Sequence, residues 1–118
     1  MIKLLPEFPS ITQIRETTKD YDEIFLSVME LIADRYEANP DYNWIDTKFS
    51  PTTGKDYSDD DMIRGRKIVF GWIQGRALEA LVGHSKYFKN NLKNSRAEKL
   101  QSRLRPIIKE ILCRLQKM

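Results

Sequence analysis

The sequence has one cysteine, one histidine, five glycines and five prolines in 118 residues, and no run of apolar residues long enough to span a bilayer. A single cysteine, Cys113, excludes an internal disulfide, and with no companion ligands it excludes a structural zinc site. Its expected role is small apolar packing in the last helix. The few glycines and prolines, with 41% apolar and 31% charged residues, exclude collagenous and disordered classes and leave a globular chain. The N-terminus MIKLLPEFPS lacks the apolar core and small-residue cleavage site of a secretory signal, which points to a cytoplasmic protein. Neither a metal nor a cofactor is expected.

Charge is present in both signs but unevenly placed. Residues 1–83 carry ten Lys and Arg against fifteen Asp and Glu, a net of −5. Residues 84–118 carry ten against two, a net of +8. Such asymmetry is a hint of nucleic-acid or membrane-surface contact, although it is also what one solvated helix face produces.

Along the chain, Pro6 and Pro9 lead into a short turn near Ile11–Glu16, and Asp20–Asn39 reads as the first helix. Tyr21, Ile24, Phe25, Val28, Leu31, Ile32 and Tyr36 form its expected buried stripe, and Asp20, Asp22 and Glu23 suit the positive end of its dipole. Asn39-Pro40 ends it. Residues 40–58 form a connection in which Pro51-Thr52-Thr53-Gly54 is a turn, flanked by pieces able to pair as a short hairpin. Ser58-Asp59-Asp60-Asp61 reads as a helix start, with Ser58 as cap and Asp61 at the third position. The apolar helix from Phe70 is expected to close at Gly83-His84, with His84 serving the dipole. Ser95-Arg96-Ala97-Glu98 is a capping box for a final helix, Arg96–Lys117. Its stripe is Leu100, Leu104, Ile107, Ile108, Ile111, Leu112 and Leu115, and Pro106 should kink it or mark a restart.

The stretch FGWIQGRALEALVGH, residues 70–84, is the densest in unusual choices. Trp72, Arg76, Glu79, Ala80 and Gly83 share one helical face. Arg76 and Glu79 have the spacing of an i,i+3 ion pair. Two glycines four apart, Gly71 and Gly75, each cost about 1 kcal/mol in a helix, which suggests close approach of another backbone or a ligand. Trp72, Gln74 and Arg76 are the candidate contacts for a hydroxyl-rich ligand. Trp44 and Tyr57, in the preceding connection, are candidates for stacking on a sugar face.

The string Gly71-Trp72-Ile73-Gln74-Gly75-Arg76 resembles the Trp-x-Gln-Gly-Arg signature near the start of the N-acylglucosamine 2-epimerase family. The match covers about a dozen residues. The resemblance implies an all-α fold, a barrel of six helical hairpins, of which residues 1–118 would be a single N-terminal segment. It also implies a carbohydrate epimerase or isomerase that removes and returns a proton beside a sugar carbonyl, with Arg76 among the catalytic groups at the substrate oxygens. The family's acid–base histidines lie on later hairpins and have no counterpart here, so the segment alone is expected to be inactive. Six-hairpin glycosidases and lyases are an alternative on the same architecture. A basic helical nucleic-acid module, using Lys and Arg for phosphates and Tyr87 for stacking, is another. The apolar helix faces also suggest self-association, because three such helices cannot easily cover one another.

Overall fold

Ser10 opens the first helix, earlier than the apolar stripe suggests. Its hydroxyl accepts from the Gln13 N–H at 3.1 Å while the Gln13 side chain accepts from the Ser10 N–H at 2.8 Å, a reciprocal box that satisfies two end donors. The computed structural model describes residues 4–118 and holds three helices, α1 Ile11–Ala38, α2 Gly71–Asn91 and α3 Ser95–Gln116. The chain is all-α. Among the described residues the only β pairing is one antiparallel bridge, Phe49 to Asp56, so the expected hairpin is a single pair closed by the turn at Gly54, whose φ is +72°.

Since α1 already starts at Ser10, Asp20, Asp22 and Glu23 lie in its middle and not at its positive end. The carboxylates of Asp22 and Glu23 serve the neighbouring helices instead. The Tyr87 hydroxyl donates to Asp22 at 2.7 Å, and Arg96 of α3 pairs with Glu23 and Glu30. Two turns further on, Arg103 pairs with Asp34 and Glu37. This order makes α1 and α3 parallel. α2 turns back into α3 through Leu92–Asn94 and is antiparallel to both.

α3 is the central helix. Ala97, Leu100, Leu104, Ile107 and Ile111 are buried along it, against Leu81 and Phe88 of α2 and Leu26, Met29 and Ala33 of α1. The expected α3 stripe is therefore the core, with Leu112 left exposed. Its cap is Asn94, whose side-chain oxygen accepts from the Ala97 N–H at 2.8 Å, one residue before the anticipated Ser95. The helix runs unbroken through Pro106, which lies on the solvent side. Cys113 is exposed rather than packed.

Two further expectations are corrected. α2 does not stop at Gly83-His84 but continues to Asn91, because Phe88 carries the apolar period onward into the core. Residues 58–67 form turns and no helix. There Asp61 accepts from the N–H groups of Ile63 and Arg64 at 3.0 and 2.7 Å, local bonds that compete with a helix. A Cβ at Gly65 would meet three backbone carbonyl oxygens at 2.7–2.9 Å, so this wrap accepts only glycine.

The α1 stripe is the largest correction. Tyr21, Ile24, Phe25, Val28 and Leu31 remain exposed, whereas Leu26, Met29 and Ala33 are the buried residues of the helix. At ~100° per residue, the apolar arc of α1 is wide enough for two faces, and α3 takes one of them.

Candidate functional site

The connection between α1 and α2 sits on the end of the bundle where α1 finishes, α2 starts and α3 finishes. Gln74 holds it there. Its side-chain nitrogen donates to the Ile45 carbonyl and its side-chain oxygen accepts from the Ile45 N–H, both at 2.9 Å. Both partners are buried. Arg114 of α3 donates to the Asn43 carbonyl at 2.6 Å, and Trp44 packs against the core beside this clamp.

Next to Ile45 lies an ionic cluster with no sequence signature. The buried Asp46 carboxylate pairs with Arg35 at 3.0 Å and Arg66 at 2.8 Å. Asp56, across the bridge, pairs with the same two arginines at 2.6 and 2.8 Å. Hydrogen bonds donated by Arg35 and Arg66 hold the Asp56 carboxyl below the usual carboxylate range, and donation to Asp46 and Asp56 raises the pKa of the Arg66 guanidinium. Arg35 also lies over the Phe49 ring at 4.2 Å. The Nε atoms of Arg35 and Arg66 and the Tyr42 hydroxyl are buried without a hydrogen-bond partner, and desolvation raises the Tyr42 pKa. Two acids and two bases neutralise one another here. The cluster ties the connection to α1, and its members come from four sequence regions that only the fold unites.

The five candidate ligand residues separate into distinct places. Trp72 and Arg76 lie one turn apart on the outer face of α2, and they are strongly exposed, Trp72 at 72% and the Arg76 side chain at 78%. Arg76 meets Glu79 at 3.6 Å, the expected i,i+3 pair. Gln74 points to the other side of the helix, with both polar atoms used by Ile45. Tyr57 lies under the Arg64 guanidinium at 4.6 Å and lines a groove of about 180 Å³ with Phe70 and Ile73. Trp44 is at the core.

The glycines of α2 divide in the same way. A Cβ on Gly71 would touch the Met118 side chain at 3.5 Å, whereas one on Gly75 or Gly83 would meet nothing within 4 Å. The outer face of α2 thus presents a tryptophan, a loosely paired arginine and two bare glycine positions to open space.

Two other surfaces carry chemistry-bearing residues. His84 contacts the Ala80 carbonyl through Nδ1 at 2.8 Å. Because a carbonyl only accepts, the proton resides on Nδ1, and in the neutral ring Nε2 is the acceptor. The ring lies edge-on to Phe25 at 5.0 Å, in an apolar groove of about 320 Å³ shared with Ala80, Gly83 and Tyr87. On the α2–α3 side, Lys86, Lys89 and Arg105 line a shallow groove of about 300 Å³. The Tyr87 hydroxyl donates to Asp22 and its ring is partly buried against the core.

No protein-family profile, no curated protein and no solved structure matches this chain. No described helix is long and apolar enough to cross a membrane.

Proposed function

We propose that the outer face of α2 forms one wall of a carbohydrate site in an epimerase or isomerase of the N-acylglucosamine 2-epimerase type. In this reading the three helices are the opening part of a larger assembly of helical hairpins, and later hairpins supply the proton-transfer groups. The supporting observation is the pairing of Trp72 and Arg76, side by side and exposed, on a helix whose neighbouring glycines leave room for a ligand or a second backbone. An indole face suits the apolar face of a pyranose ring. A guanidinium offers a planar fork of donors to the oxyanion that develops when a proton leaves the carbon beside a carbonyl. Gln74 contributes by fixing the first turns of α2 to Ile45, which holds both side chains on a rigid element.

The test is exchange of the C2 proton of N-acylhexosamines and aldoses in deuterated water, with protein isolated from its native source and its intact mass recorded. The reading predicts a mass well above 13.9 kDa and measurable exchange. It also predicts that Arg76→Ala lowers turnover about 100-fold or more while stability changes by less than about 0.5 kcal/mol, as for an exposed side chain. Absence of exchange with every such sugar, or an Arg76→Ala protein of unchanged turnover, would overturn it.

A further inference from the structure

The exposed side of α1 has the periodicity of a helix–helix seam. Counting heptads from Ile14, the inner positions read Ile14, Thr17, Tyr21, Ile24, Val28 and Leu31. The five apolar members are all between 40% and 45% exposed, and no charged side chain interrupts them. The part of α1 before Leu26 contains no buried residue. The accessible surface is 8554 Å², roughly 1,900 Å² above the about 6,700 Å² expected for a compact chain of this mass. A standard interface takes about 800 Å² from each partner, so the excess is ample for one.

We propose that this strip pairs with the same strip of a second copy of the chain, antiparallel, about a two-fold axis passing between Tyr21 and Ile24. The sequence is self-complementary in that register. Tyr21 lies opposite Ile24 of the second copy, Thr17 opposite Val28, and Ile14 opposite Leu31, and every pair recurs on the other side of the axis, as an isologous interface requires. On one flank Asp20 meets Ser27 and Gln13 meets Asp34, so no two carboxylates face each other. On the other flank Thr18 meets Phe25. Antiparallel pairing also opposes the helix dipoles. Because α3 packs on α1 from Leu26 onward and α2 reaches it at Asp22 and Phe25, antiparallel pairing places the two bundles at opposite ends and lays each bare N-terminal segment against the other copy.

Sedimentation of the 118-residue chain from about 1 μM to about 1 mM tests this. The mass should rise from 13.9 kDa toward twice that value. Ile24→Glu, which acts twice per dimer at the axis, should weaken the association at least 100-fold, and its helical circular-dichroism signal should match that of the unsubstituted chain at a concentration too low for association. A monomer at every concentration, or a dimer indifferent to Ile24→Glu, would overturn the proposal. The register has its own test in a Cys113→Ser background. Ile14→Cys with Leu31→Cys should give disulfide-linked dimers, and Ile14→Cys alone should not. Cross-linking by the single variant would mean parallel helices and would overturn the register.

Discussion

The two halves of α1 have the same kind of sequence and opposite fates. From Leu26 onward the helix buries Leu26, Met29 and Ala33 against α3, its acidic edge of Glu30, Asp34 and Glu37 is held by Arg96 and Arg103, and Arg35 enters the Asp46 cluster. From Ile11 to Tyr21 it has a good cap and apolar residues at the right spacing, yet none of them is buried. A helix this short is marginal in water without packing. Periodicity therefore identifies the residues that favour burial, and only tertiary partners decide which of them achieve it. The same contrast runs across α2, where Gln74 is fully engaged on the inner side and Trp72 and Arg76 on the outer side are not.

Breaking the anchored half should have the largest effect. Asp46→Asn removes the buried charge shared by Arg35 and Arg66 and should destabilise the fold by about 3 kcal/mol, measured by urea unfolding. The cost should fall on the connection and the C-terminal end of α1, with the N-terminal half unaffected. Gln74→Ala comes next. It leaves a buried N–H and a buried carbonyl of Ile45 without partners, at a cost of about 2 kcal/mol, and the unfolding midpoint should drop with the slope unchanged. The outer face of α2 should respond in the opposite direction. Gly75→Ala and Gly83→Ala meet no neighbour in this chain and should each stabilise it by up to about 1 kcal/mol. A loss of stability at either position would mean that another surface already packs there.

Much of the fold is legible in the sequence where one helix face dominates. The α3 stripe from Leu100 to Ile111 matches the observed core because α3 has a single apolar face and contacts both other helices. The α1 stripe misleads because its apolar arc is broad, and Leu26, Met29 and Ala33 lie at its edge rather than its centre. The early start of α1 was readable, since Ser10-Ile11-Thr12-Gln13 is itself a capping box, but Pro6 and Pro9 direct attention to an extended lead-in. The end of α2 at Asn91 was readable from Phe88, against the pull of Gly83. The cluster of Arg35, Asp46, Asp56 and Arg66 was not readable. Its charges are ordinary in type and scattered in sequence, and they meet only because Gln74 draws Ile45 onto the bundle. In the candidate site, the common face of Trp72 and Arg76 follows from helical spacing, while the inward commitment of Gln74 depends on the connection it holds.

Amide hydrogen exchange along α1 of the isolated chain, at a concentration too low for association, tests the contrast between its halves most directly. The account predicts that amides of residues 15–21 exchange almost as fast as in a free peptide, while those of residues 29–37 are protected to the level of global unfolding. Raising the concentration should extend protection into the N-terminal half. Uniform protection along the whole of α1 in the dilute chain would contradict the account.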